Sequence, residues 1–319
     1  MSKTRWAVIT VGGNALIKDP QHMTVPDQYR ALEETARHIT DVIELGWEVA
    51  ITHGNGPQVG FVLRRSEAAY KAIGMHPVPL DVCGANTQGA IGYELQQILM
   101  NEFKRRGLRK TAATIITQAL VDRDDPAFQN PTKPIGGFMD EAEARGRVEK
   151  NGWTVTEDAG RGWRRVVASP IPQRILELDA IRQLLAAGIV TISTGGGGVP
   201  VIEDEQGNLA GVAAVVDKDY GSSLLARSIG ADLFLVATSV DRVYLNFQQP
   251  NQRGLDTLTV AEARRYIEQG HFAQGSMLPK IEGILWFLEA GGQEAIITNP
   301  ENISRALRGE AGTRIVRGA

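Results

Sequence analysis

Short apolar runs alternate with amphipathic stretches along most of the chain. The first run, Ala7-Val8-Ile9-Thr10-Val11, is rich in β-branched residues and stops at Gly12-Gly13-Asn14, which predicts a strand ending in a tight turn. Residues 27–45 place Leu32, Ala36, Ile39, Val42 and Ile43 on one helical face before Gly46, and EVAIT at 48–52 reads as the next strand, giving a βαβ unit. That second strand also ends in glycine and asparagine, His53-Gly54-Asn55-Gly56-Pro57-Gln58. Two such turns on neighbouring parallel strands would lie side by side at the carboxyl edge of one sheet.

The alternation continues with a helix over 84–106 stopped at Gly107, and TAATIITQ at 111–118 reads as one buried strand. It lapses over about 122–168, where Asp, Pro, Gly, Arg and Trp dominate. A stretch of that length is too long for an ordinary loop and predicts a small subdomain protruding from the sheet. Then follow a helix near 175–187, a strand at 189–193, Thr194 and four glycines at 195–198, and a hairpin over Val201–Val215 turning at Gln206-Gly207-Asn208. Asp217-Lys218-Asp219 opens a helix, 231–240 is an apolar strand, and Thr259-Val260-Ala261-Glu262 is a capping box for a helix ending near Gly270. Pro279 fits the first position of a helix over 279–290, with strands at 294–298 and 313–316 after it. The pattern predicts an α/β fold, a three-layer open αβα sandwich with a mostly parallel central sheet.

Composition narrows the chemistry. The chain has 319 residues, 43% of them hydrophobic and 22% charged, with a formal net charge of -3, so any anion site must be a local arrangement rather than a basic surface for nucleic acid or membrane. One cysteine, Cys83, cannot form an intrachain disulfide, and the five histidines, at 22, 38, 53, 76 and 271, are scattered without zinc spacing. No apolar run has the length of a membrane span, and a reducing, cytoplasmic setting is the expectation.

Three lysines stand in unusual contexts. Lys133 lies between Thr132 and Pro134 in the protruding segment, while Lys218 and Lys280 fall in the opening turns of helices, where a cation is disfavoured by about 0.3–1 kcal/mol unless an anion compensates. Each is either a solvated surface cation or part of a phosphate site. Asp219 either organises those lysines, or Mg²⁺, or is a carboxylate suited to a helix N-terminus. Gly12-Gly13-Asn14 is a plain turn or an anion cradle of backbone amides. His53 is a packing residue or a base, and the four glycines at 195–198 are a loop or a place of close backbone approach. Neither the Walker phosphate loop nor the dinucleotide GxGxxG fingerprint occurs.

Taken in order, GGNAL (12–16), HGNGPQVG (53–60), TQGAIGY (87–93), NPTKPIG (130–136), EDAGRGWRRVV (157–167), GGGGVPV (195–201), DKD (217–219) and GSMLPKIE (275–282) resemble the carbamate kinases of the amino acid kinase family. Thr10-Val11 and Thr194 depart from that pattern, where Ala-Leu and Cys are common. The resemblance implies a homodimer and reversible phosphoryl transfer between ATP and carbamate, with Mg²⁺ on the nucleotide phosphates and no separate metal site. It implies a carbamate-binding lobe over about 1–190 that bears the subdomain at 122–168, and a nucleotide-binding lobe over about 191–319. Gly12, Gly13, Asn14, Gly54, Asn55 and Gly56 would then cradle carbamate or carbamoyl phosphate. Lys133 would reach the transferring phosphoryl, Lys218 and Lys280 would contact nucleotide phosphates, and Asp219 would hold them in place. Ser239, Asp241, Tyr244, Phe272 and Met277 are candidates for the adenosine pocket by position. Other acceptors used within the family, an amino acid carboxylate or a nucleoside monophosphate, and a nucleotide sensor without turnover, are the competing readings.

Overall fold

A computed structural model describes residues 4–12, 21–22, 24–157 and 161–318. Its main sheet has eight strands in the order Thr257–Thr259, Thr313–Val316, Glu294–Thr298, Leu233–Ala237, Arg5–Val11, Trp47–His53, Val190–Ile192 and Ala112–Thr114. Six run parallel, and the strands at Thr257–Thr259 and Thr313–Val316 run opposite to them. The first strand explains the layering by itself, because successive side chains point to opposite faces. Ala7, Ile9 and Val11 pack into one apolar cluster with helices Val25–Glu44 and Leu80–Arg105. Val8 packs into another with helices Leu178–Ala186, Lys218–Ile229, Val260–Glu268 and Met277–Glu289. The molecule is therefore a three-layer α/β sandwich with a mostly parallel central sheet.

Register decides where the site can form. Val11 pairs with His53 on one side and with Ala237 on the other, and Ala237 pairs with Thr298. Four strands thus end level, and the turns that follow them share one edge. Gly54 donates its amide to Val11 O at 3.0 Å, and Gly12 donates to Ala237 O at 3.1 Å. A Cβ on Gly12 would lie 2.9 Å from that same carbonyl, so the position has no room for a side chain.

The helix expected over 84–106 begins at Leu80, and two further elements differ in detail. The run 111–118 is not one strand: Ala112–Thr114 ends in the main sheet, and Gln118–Val121 begins a second sheet with Pro172–Ile175, Val199–Glu203 and Leu209–Gly211. The chain crosses between them because Gln88 holds it, accepting from Thr117 N at 2.7 Å and donating to Thr117 O at 3.0 Å. The helix bearing Lys280 starts at Met277 rather than Pro279, which still leaves the proline within the first turn, where its missing N–H breaks no helical bond. Within 122–168 lies a three-stranded antiparallel sheet of Lys133–Met139, Trp163–Val167 and Thr154–Glu157, with helix Glu141–Asn151 between its strands.

Helix Lys218–Ile229 is seated by glycine. A Cβ at Gly221 would come within 2.5 Å of the backbone of Gly197, and one at Gly283 would come within 2.9 Å of Asp219 O. Alanine in a helix interior ordinarily gains about 1 kcal/mol over glycine. At Gly221 the clash is with backbone, which cannot yield cheaply, so overpacking of about 1–3 kcal/mol should prevail. Gly221→Ala is therefore expected to lower the melting temperature, and a rise measured by thermal unfolding would contradict this packing.

Candidate functional site

The carboxyl edge gathers three lysines from distant parts of the chain around two aspartates in one helical turn. Asp217 caps helix Lys218–Ile229, accepting the amide of Asp219 at 3.0 Å through Oδ1. Its Oδ2 accepts from Lys133 Nζ at 2.6 Å, across 84 residues of sequence. Asp219 Oδ2 accepts from both Lys218 Nζ at 3.0 Å and Lys280 Nζ at 2.9 Å. Asp219 and Lys280 are 2% and 7% exposed. The lysines at the helix ends are thus compensated by the protein's own carboxylates. Three ammonium groups against two carboxylates still leave one positive charge in excess, and Asp219 Oδ1 is buried with no hydrogen-bond partner.

The electrostatics follow from this sharing. Burial opposes the charge on Asp217, but Lys133 and Lys218 outweigh it and hold the carboxyl below its usual range. Burial likewise opposes the charge on Lys218, and Asp219 and Asp217 overcome it, raising its pKa. Burial prevails at Lys280, which is lowered because its neighbour Lys218 works against Asp219. Three lysines gathered at one sheet edge are suited to an anion whose charge is spread over several oxygens.

The glycine run 195–198 joins this cluster to the paired turns. A Cβ on Gly195 would sit 2.4 Å from the His53 ring, one on Gly196 would sit 2.3 Å from the Asn55 amide, and one on Gly197 would sit 2.9 Å from Asp217 O. Consecutive glycines therefore touch the turn at 53–56 and the helix end at 217. The run is a place of close approach, between protein segments. Thr194, just before it, adopts φ 53°, a left-handed conformation that non-glycine residues seldom take, and its amide is held by Thr117 Oγ1 at 2.9 Å. Asn55 is fixed by Thr87, whose hydroxyl donates to Asn55 Oδ1 at 2.8 Å. Beneath the turns, Thr52 donates to Thr10 at 2.9 Å and lies 2.7 Å from Ser222 Oγ, tying both central strands to the helix that carries Lys218.

Of the residues singled out in the sequence, Lys133, Lys218, Asp219 and Lys280 meet in one cluster, and Gly12, Gly54, Asn55 and Gly56 line the adjoining edge. Gly13 and Asn14 lie outside the described residues. Asp241 is near the same edge but is engaged, accepting from Tyr244 at 2.6 Å and Arg242 at 3.2 Å. Ser239 is exposed in that loop. Phe272 is a core residue, 5% exposed among apolar neighbours, and Met277 packs against the same cluster. Sequence reasoning gave no role to Asp217, Gln88 or Thr87. Asp217 had a visible signal, an aspartate at a helix start beside a lysine, but its partner is far away in sequence.

His53 is settled as a packing residue by its surroundings. It is 1% exposed, its Nδ1 lies 2.9 Å from Gly54 O, and burial lowers its pKa to about 4. A histidine with a lowered folded pKa contributes stability that is complete above about pH 6.5 and lost as pH falls toward that folded value. Its ring protons in a nuclear magnetic resonance titration are therefore expected to shift with a midpoint near 4. A midpoint near 6.5 would mean that the ring is solvated and free to act as a base.

Known proteins bear on this arrangement. The model of the amino acid kinase family matches residues 5–299. A carbamate kinase of Thermococcus kodakarensis is 47% identical over 97% of this chain and 98% of its own length. A carbamate kinase-like protein of Escherichia coli K12 is also 47% identical, again over 97% and 98%. The structure of a Giardia lamblia carbamate kinase bound to AMP-PNP superposes with a TM-score of 0.93 at 38% identity, over 99% of each chain. The chain belongs to the amino acid kinase family.

Proposed function

We propose that this protein is a phosphotransferase acting on carbamoyl phosphate and ADP to give ATP and carbamate, operating mainly toward ATP. The convergence of Lys133, Lys218 and Lys280 on Asp217 and Asp219, beside the glycine turn, carries the reading. The names of its full-length relatives support the choice of substrate.

In this reading the amides of Asn55 and Gly56, with the undescribed Gly13 and Asn14, hold the carbamoyl group, while Gly12 and Gly54, whose amides donate to Ala237 O and Val11 O, let the backbone approach it closely. A β-phosphate oxygen of ADP attacks the phosphorus of carbamoyl phosphate. The new P–O bond forms in line as the bond to the carbamate oxygen breaks, and the electron pair leaves with carbamate. The attacking oxygen is already an anion and the leaving group departs as one, so no general base is required. Lys133 neutralises the equatorial oxygens from the side of the small sheet, and Lys218 and Lys280 neutralise the nucleotide phosphates, at positions fixed before reaction. Ser239, Asp241, Tyr244 and Met277 are assigned to the nucleoside side; Phe272 would support that side from the core.

Mg²⁺ would accompany the nucleotide phosphates and add positive charge there. Among the described residues no group of three or more His, Cys, Asp or Glu side chains is arranged for a metal, and Asp217 Oδ2 and Asp219 Oδ2 already accept from lysines. A homodimer in the cytoplasm completes the reading; among the described residues no helix is long and apolar enough to cross a membrane.

A coupled assay should record ATP formation from ADP and carbamoyl phosphate, with no comparable phosphorylation of acetylglutamate, aspartate or UMP by ATP. Activity on one of those acceptors without carbamoyl phosphate turnover would overturn the assignment. Lys133→Ala should lower turnover by about 10²- to 10³-fold with the fold intact by circular dichroism, and near wild-type ATP formation would remove Lys133 from its role.

A further inference from the structure

A second cavity, of about 290 Å³, lies between helix Gln58–Ile73 and the small three-stranded sheet. Arg64, Lys71, Arg147 and Arg165 line it, against only Glu67 and Glu143, an excess of two positive charges. Its ion pairs are loose: Lys71 to Glu143 at 3.3 Å, Arg147 to Glu143 at 3.5 Å and Arg147 to Glu67 at 3.8 Å. Those of the lysine cluster span 2.6–3.0 Å. Among the described residues Arg64 and Arg165 have no ion-pair or hydrogen-bond partner, and Glu67 Oε1 is buried and accepts no hydrogen bond.

One wall of the cavity is aromatic and fixes the cations. The guanidinium groups of Arg147 and Arg165 lie 4.8 and 4.6 Å from the centre of the Trp153 ring, an arrangement that orients their planes and leaves the Arg165 edge without an ion pair. Burial lowers the pKa of Arg165, yet the group remains a cation. A partly desolvated guanidinium without a carboxylate is the side chain best matched to a carboxylate or phosphate, which it can grip with two parallel hydrogen bonds. Arg147 and Arg165 are half-buried there, and Arg64, although exposed, lines the same space.

The cavity's position connects it to the reaction. Helix Gln58–Ile73 begins at the end of the turn 53–57, and strand Lys133–Met139 begins with the lysine itself. Arg64, Ile135 and Gly136 also line a smaller cavity of about 130 Å³ together with Gly56 and Pro57, so the two spaces share a wall. An occupant bridging Arg64 on the helix and Arg165 on the sheet would fix Lys133 relative to the glycine turn.

We propose that this cavity is an effector site for a small dianion bearing carboxylate or phosphate groups, whose binding holds the small sheet, and with it Lys133, in place over the substrate turn. The kinetic part rests on the proposed function; the binding part does not. Calorimetric titration of the whole protein with succinate and, separately, with inorganic phosphate, using acetate as the monoanion control, tests the site and distinguishes the two anion types. At least one dianion should bind at least tenfold more tightly than acetate, and both Arg64→Gln and Arg165→Gln should weaken it at least tenfold without changing the melting temperature by more than a few degrees. The dianion that binds should also lower KM for carbamoyl phosphate by at least threefold in the wild type and not in Arg64→Gln. Absence of dianion preference, or binding indifferent to both substitutions, would overturn the site. Binding without a change in KM in an active enzyme would overturn its effector role. Specific binding to a protein with no carbamoyl phosphate turnover would instead count against the function proposed above.

Discussion

Two carboxylates in a single helical turn hold this site together. Asp217 and Asp219 collect one lysine from the small sheet, one from their own helix and one from the helix Met277–Glu289. Without them, three ammonium groups would crowd helix ends that already carry partial positive charge. With them, the cations stay in place, and the cluster keeps a single excess positive charge for a ligand. The arrangement makes the aspartates positioning groups and the lysines the groups that would meet substrate.

Close backbone approach is what allows those carboxylates to be reached. Gly221 admits Gly197, Gly283 admits the backbone of Asp219, and Gly196 admits the Asn55 side chain. At Gly221 and Gly283 the contact excludes a side chain where ordinary helix preference would favour one, and at Gly196 the left-handed backbone, φ 64°, favours glycine as well. The four strands ending level at Val11, His53, Ala237 and Thr298 supply the shelf on which the pieces meet. The polar bridge from Thr10 through Thr52 to Ser222 locks the helix to that shelf within an otherwise apolar interior, where such hydroxyls must find partners.

Much of this was legible in the sequence because it is local. The strands at Arg5–Val11 and Trp47–His53 show as apolar runs cut off by glycine, and the Thr259–Glu262 capping box appears as expected, with Glu262 Oε2 accepting from Thr259 N at 2.9 Å. The lysines were visible as charges in the wrong place. What compensates them was only half visible: Asp219 stands next to Lys218, whereas the Asp217–Lys133 pair joins a capping residue to the first residue of a strand far away, and no periodicity records such a contact. The break between Thr114 and Gln118 was hidden for another reason. A continuously apolar run fits a strand wherever it is cut, and the cut is made by Gln88 on a different element. Phe272 was placed by its nearness to a motif, which says nothing about the direction in which a ring points.

The central claim is that Asp217 acts through Lys133, and a double-mutant cycle on ATP formation tests it most directly. Asp217→Asn keeps a capping oxygen for the helix while removing the charge that holds Lys133, and Lys133→Ala removes the cation itself. The ion pair predicts that the double variant turns over about as slowly as Lys133→Ala alone, giving a coupling of more than about 1 kcal/mol. Losses that multiply, as for two independent sites, would contradict the account.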